Sequence, residues 1–151
     1  MIELGFNYRL TDIQSALGAS QLKKLGKFIK QRRQIVKWYF NELKNVKDII
    51  LPQELKGNYS SWHIYVIRTK DKKLRDKLVN SLKDNGIGVN FHYPAVYSQP
   101  YYRDHGYKKI YFNKTEEYQN SCITLPCYPQ LSRKQVKYIS EKIKYFFAVK
   151  F

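Results

Sequence analysis

Acidic residues are scarce in this chain: twelve Asp and Glu stand against twenty-eight Lys and Arg, a formal net charge of +16 over 151 residues. No arrangement of paired carboxylates stands out, nor a G-x-S-x-G elbow or a phosphate-binding P-loop. Cysteine is almost missing. Cys122 and Cys127 have no further cysteines with which to complete a zinc site, and two thiols alone read as free groups in a reducing cytoplasm. The three histidines, His63, His92 and His105, fall on separate elements without metal-ligand spacing, so no metal is expected. No apolar run approaches a membrane span, and the N-terminus lacks a signal-peptide core. The expectation is a soluble, cytoplasmic protein without a membrane partner.

Hydrophobic residues make up 43% of the chain and aromatic ones 16%, enough to argue against disorder and for one domain with a core. The basic excess invites a nucleic-acid reading. Its lysines, however, are spread along every candidate helix rather than gathered into a stripe or tail. Abundant Lys, Ile, Asn and Tyr beside only four alanines are what AT-rich coding produces without selection for binding. A specific nucleic-acid partner is therefore not expected. A non-catalytic basic module binding nucleic acid or protein stays as the alternative function.

The periodicities predict an α+β chain. A helix is expected from Thr11 to about Leu25, with Ile13, Ala16, Leu17 and Ser20 on one small-residue face. Gly26 separates it from a second helix, about Lys27 to Lys44. Phe28, Ile29, Val36, Tyr39, Phe40 and Leu43 form that helix's apolar stripe, and Lys30, Arg32 and Arg33 its solvated face. Strands are expected at Asp48–Leu51, Trp62–Arg68, Gly88–His92 and Cys122–Leu125. Helices are expected from Asp71 to about Asn85, over Lys114–Asn120, and after the Ser132/Gln135 capping box. The aromatic stretch from Tyr93 to Phe112 reads as an ordered loop with a short helical turn. A small sheet covered by helices satisfies this order.

One loop concentrates polar chemistry. Gly5-Phe6-Asn7-Tyr8-Arg9-Leu10 runs into Thr11 and Gln14, which have capping-box spacing. An amide, a phenol and a guanidinium precede a helix N-terminus, and all are groups that hold anions. From the residues alone, Asn7 equally serves a turn, Tyr8 a packing contact and Arg9 a solvated surface. His63 beside Trp62 reads as a packed aromatic.

The wording G-F-N-Y-R-L-T-D-I-Q-S-A-L-G closely resembles a motif of the DegT/DnrJ/StrS sugar aminotransferases. The resemblance continues in order through S-S-W-H-I-Y-V-I, G-I-G-V-N-F-H-Y, Q-P-Y-Y and L-P-C-Y-P, covering nearly the whole chain. These enzymes use pyridoxal 5'-phosphate (PLP) to aminate keto-sugars on nucleotides. The resemblance implies the small C-terminal domain of the aspartate-aminotransferase type (PLP fold type I), with an N-terminal helical connecting arm. Residues 1–45 would be the connecting segment at the large-domain junction, and residues 46–151 the small domain.

It further implies a homodimer in which Asn7 reaches across to the PLP phosphate held by the other subunit. Tyr8 and Arg9 would lie at the substrate entrance, and His92 and Tyr93 on the substrate side. The substrate would be a nucleotide sugar, of the UDP-linked 4-keto-6-deoxy type, with an amino acid as donor. The chain departs from the family's H-Y-x-P-x-H at His92-Tyr93-Pro94-Ala95-Val96-Tyr97, where tyrosine replaces the second histidine. Tyr97 and L-P-C at Leu125–Cys127 resemble the subfamily that makes UDP-4-amino-4,6-dideoxy-N-acetyl-altrosamine for pseudaminic acid. The family's Schiff-base lysine belongs to a large domain ahead of this region, so no catalytic residue is expected among these residues. Catalysis by the isolated chain is not expected either, and a truncated or split reading frame is the implied origin.

Overall fold

The computed structural model describes residue 6, residues 8–107 and residues 111–149. Helix α1 (Asp12–Leu22) starts on the expected capping box: Gln14 N donates to Thr11 Oγ1 at 3.3 Å, and Thr11 N to Gln14 Oε1 at 3.0 Å. It buries no residue, and every residue from 8 to 27 is exposed. The break before α2 (Leu25–Leu43) falls at Lys23–Lys24, where Lys24 N bonds Gln21 O at 2.9 Å. Gly26 lies inside the first turn of α2, so the expected separation there is displaced. A glycine lowers helix propensity without forbidding the helix.

Within α2, Ile35, Tyr39 and Leu43 are buried at successive turns, and this phase turns Phe40 outward to 50% exposure. Phe40 thus leaves the expected stripe, because adjacent helix positions lie about 100° apart. Two of the basic residues assigned to the solvated face are structural. Arg32 donates to the carbonyls of His63 at 2.7 Å, Trp62 at 3.3 Å and Cys127, tying α2 to two loops. Arg33 forms a two-pronged ion pair with Glu54, both bonds at 2.7 Å. Lys30 is exposed, as expected. The planar fork of arginine suits such bonding, while lysine tolerates full hydration.

The sheet has three antiparallel strands in the order β1 (Ile49–Ile50), β2 (Tyr65–Thr69), β3 (Cys122–Leu125). Tyr65 faces Leu125 and Arg68 faces Cys122 in the register of the central pair. Helix α3 (Lys72–Asp84) follows β2, capped by Asp71 Oδ1 on Leu74 N at 2.8 Å and ended by Gly86 at φ +71°. The expected strand at Gly88–His92 reduces to one bridge, Asn90 to Thr124. Asn90 turns its own side chain back onto Phe91 N at 2.8 Å, a local bond that competes with extending the ladder.

After His92 the chain makes a 3-10 turn at Val96–Ser98, the single turn α4 (Pro100–Tyr102) and a π turn at Arg103–Tyr107. Helix α5 (Asn113–Ser121) leads directly into β3, and α6 (Arg133–Ala148) closes the fold. One hydrophobic core joins Ile35, Tyr39 and Leu43 of α2 with Tyr65 and Ile67 of β2. Leu78, Val79 and Leu82 of α3, Ile123 and Leu125 of β3, and Val136, Ile139, Ile143 and Phe146 of α6 join it, with Ile49, Ile87 and Leu131. The α+β class with a small helix-covered sheet is therefore as expected. Helix α2 anchors the N-terminal region to it.

Candidate functional site

Strand β3 organises the polar cluster. It pairs with β2 along one edge and touches Asn90 along the other, through Asn90 N to Thr124 O at 3.2 Å and Thr124 N to Asn90 O at 2.8 Å. That bridge brings His92 over the strand, where its Nδ1 lies 2.8 Å from Thr124 Oγ1. The Tyr118 hydroxyl, from α5, donates to the His92 carbonyl at 3.1 Å. The imidazole is thus fixed at one nitrogen, while Nε2 has no hydrogen bond among the described residues. Tyr93 follows through a cis peptide and stands 69% exposed, its ring edge-on to His92 at 4.7 Å.

Beyond Tyr93 the loop turns back to α5. Ala95 N donates to Gln119 Oε1 at 2.8 Å, and the Tyr97 hydroxyl to Glu116 Oε1 at 2.7 Å. Gln119 Nε2 bonds the other Glu116 oxygen. Burial, and then the bond to Glu116, hold the Tyr97 phenol above its ordinary value. Both cysteine thiols are pushed up by burial, which suits packing groups rather than nucleophiles.

The N-terminal candidates form a separate group. Asn7 lies outside the described residues. Tyr8 is 90% exposed and stacks on Phe6 at 5.5 Å, and Arg9 is exposed without an ion pair among the described residues. No hydrogen bond or ring contact among those residues joins Tyr8 or Arg9 to His92 or Tyr93. The fold therefore unites His92 with Tyr93 and leaves the Tyr8–Arg9 pair at the foot of an exposed helix. A cavity of about 600 Å³ lies elsewhere, between α2 and the stretch from Pro52 to Tyr65, lined by Arg33, Val36, Phe40 and Trp62 among others. His63 is exposed and contributes only its carbonyl, to Arg32, rather than packing as an aromatic.

Thr124, Tyr118, Glu116 and Gln119 escaped the reading of the sequence. One signal was there for Thr124: a hydroxyl in a short apolar strand must find a partner once buried. For the α5 residues the partner is a loop some twenty positions away, which no local period encodes. Among the described residues no group of three or more His, Cys, Asp or Glu could hold a metal ion, and no helix is long and apolar enough to cross a membrane.

Comparison with known proteins places this arrangement. The chain is 31% identical over 145 residues to the spore coat polysaccharide biosynthesis protein SpsC of Bacillus subtilis, covering 93% of this chain and 37% of that protein. It superposes on Helicobacter pylori PseC, an aminotransferase involved in the biosynthesis of pseudoaminic acid, with a TM-score of 0.88 and 29% identity. That match covers 98% of this chain and 40% of PseC. It also superposes on the putative sugar aminotransferase Spr1654 of Streptococcus pneumoniae, whose structures include a PLP form and a PMP form, with a TM-score of 0.85 and 26% identity. Here 93% of this chain and 36% of that protein are covered. The chain thus spans about two fifths of the length of these relatives. The description of the DegT/DnrJ/EryC1/StrS aminotransferases matches residues 1–144, and with the five motifs in order and the superposed fold, this chain belongs to that family.

Proposed function

We propose that the chain supplies the small domain of a PLP-dependent aminotransferase, which moves an amino group from an amino-acid donor to a keto-sugar carried on a nucleotide. The substrate we assign is a UDP-linked 4-keto-6-deoxy sugar, and the assembly a cytoplasmic homodimer. One observation carries the reading: the family match over residues 1–144, together with superposition on sugar aminotransferases along almost the entire chain. Residues 1–45 serve as the junction to the large domain and residues 46–151 as the small domain. The chain taken by itself is inactive in this reading, since the family's reactive lysine belongs to the large domain.

The donor set fits one edge of an anionic cofactor or substrate and not a complete cradle. Arg9 and Tyr8 offer an exposed guanidinium and an exposed phenol, and His92 one ring nitrogen without a hydrogen bond among the described residues, but Tyr8 and Tyr93 stand open at 90% and 69% exposure. PLP, when bound, supplies the electron sink for amino transfer. Asn7 donates its amide to the cofactor phosphate across the dimer. Tyr8 and Arg9 orient the anionic substrate at the entrance. His92, held by Thr124 and Tyr118, and Tyr93 bind the sugar side and help exclude water.

The test supplies the large domain by fusion or co-expression and measures PLP retention. A hydrogen bond to a charged group is worth about 1.5–3 kcal/mol, so Asn7→Ala should weaken PLP affinity roughly ten- to a hundredfold with little change in folding. Mixing Asn7→Ala subunits with lysine-dead, otherwise intact subunits gives one site with both groups and one with neither. The first should hold PLP normally and the second should not. Unchanged PLP affinity in the Asn7→Ala homodimer removes the role given to this residue.

A further inference from the structure

The loop that displays Tyr93 is fastened to α5 at three positions. Tyr118 holds the His92 carbonyl, Gln119 holds the Ala95 amide and Glu116 holds the Tyr97 hydroxyl. Between these anchors Tyr93 and Pro94 are exposed, while Ala95 is buried at 4%. The position of the Tyr93 phenol therefore depends on where α5 fastens the loop ends. The fastening also has a polarity. A backbone N–H only donates, so the Gln119 oxygen must face Ala95, and the Gln119 nitrogen must then face Glu116. An ionised carboxylate only accepts, so Glu116 receives that nitrogen through one oxygen and Tyr97 through the other. Every group in the chain has one compatible orientation. Tyr97, which stands where the family pattern has a histidine, spends its hydroxyl inward on Glu116, and its ring packs against Phe112 at 5.6 Å.

We infer that Glu116, Gln119 and Tyr97 are positioning residues that set the placement of Tyr93 on the substrate side of the domain, through a donor–acceptor chain of fixed direction. The inference rests on the assignment of Tyr93 as a substrate-binding residue, and the geometry of the clamp is independent of that assignment. Gln119→Glu sets two carboxylate oxygens against each other, whereas Glu116→Gln keeps both bonds available, its oxygen turned to Gln119 and its nitrogen to the Tyr97 hydroxyl, which accepts as well as donates. The double swap Glu116→Gln/Gln119→Glu restores each bond: the new amide accepts from Tyr97 and donates to the new carboxylate, whose other oxygen accepts from Ala95.

The experiment places 3-fluorotyrosine at position 93 of the full chain and follows its fluorine resonance, hydrogen exchange at the Ala95 amide and the denaturant midpoint. Gln119→Glu should shift or split the resonance and accelerate Ala95 exchange between about two- and tenfold, the range one hydrogen bond supports. The double swap should return both to the parent values. A Gln119→Glu variant that matches the parent, or a double swap that restores neither readout, overturns the clamp. Should Gln119→Glu fail to fold, Tyr97→Phe, which deletes one hydroxyl from a half-buried ring, decides it: an unmoved resonance overturns the proposal.

In the reconstituted enzyme Gln119→Glu should raise KM for the nucleotide sugar at nearly constant kcat, and the swap should restore it. An unchanged KM despite a moved Tyr93 resonance overturns the positioning role. If PLP retention proves indifferent to Asn7 while the swap pattern holds, the cofactor assignment falls and the clamp stands. The reverse result separates them equally well.

Discussion

Helices α1 and α6 open on the same device, Thr11 with Gln14 in one and Ser132 with Gln135 in the other, each a reciprocal capping box. Helix α6 buries Val136, Ile139, Ser140, Ile143 and Phe146, whereas α1 buries nothing and leaves Ile13 at 83%, Leu17 at 61% and Leu22 at 68% exposure. A cap satisfies the first backbone donors and tells a helix where to start, but most helical stability in proteins comes from packing an apolar face. The partner of α6 lies within this chain, in α2 and α3. The apolar side chains of α1 bury nothing against the described residues, and in the proposed assembly they would meet the large domain or the second subunit.

The largest effect that separates the helices is a core truncation. Ile143→Ala should cost about 2–5 kcal/mol in denaturant unfolding, while Leu17→Ala in the chain alone should stay within about 0.5 kcal/mol. Equal costs would erase the contrast. Supplying the large domain should sharpen it. If α1 then packs, Leu17→Ala loses roughly 1.5–3 kcal/mol of burial, read as a weaker association of the two parts by calorimetry or sedimentation. Without that partner, exposed residues of this kind drive concentration-dependent self-association, which Leu17→Asp should reduce.

A smaller separation lies in the caps. Ser132→Ala should lower global stability by about 1 kcal/mol, whereas Thr11→Ala should leave the unfolding midpoint in place and reduce only helical content at α1. The smallest effect is acid sensitivity, and it belongs to the packed body. The bond from Arg33, and then the Ser60 amide, hold the Glu54 carboxyl down at about 2, below its ordinary 4.5. A depressed carboxylate contributes stability above its unfolded value and loses it as pH falls from about 4.5 towards 2. Acid titration of Glu54→Gln should therefore show a shallower loss across that window, and an identical slope would remove the ion pair from the account.

Much of the framework was legible before any coordinates. Both capping boxes, the extent of α3 and the Cys122–Leu125 strand follow from local rules, because each depends on residues close to one another in the chain. The same rules misplaced Phe40, for helix phase is chosen by whichever stripe fills the core, and Ile35, Tyr39 and Leu43 fill it. They also assigned Arg32 to solvent, since its carbonyl partners lie thirty and more residues away in two different loops. The candidate site divided along the same line. The family motifs marked His92 and Tyr93 as a pair; a hydroxyl in an apolar strand said only that Thr124 needs a partner, and nothing local marked Tyr118 as a partner of His92 or Glu116 and Gln119 as those of the loop beyond it.

By itself the sequence determined where helices start and stop, which strands are apolar, and the order of motifs that identifies the family, because capping, periodicity and wording are short-range properties of the chain. Only the tertiary structure decided that the Gly88–His92 segment contributes one bridge rather than a strand, that Tyr97 turns inward to Glu116, and that α1 stands bare while α6 is covered. Each of those outcomes is a competition between distant groups for the same partner or the same buried volume. Such a competition is settled by free energies of packing and hydrogen bonding that exist only once the chain has closed on itself.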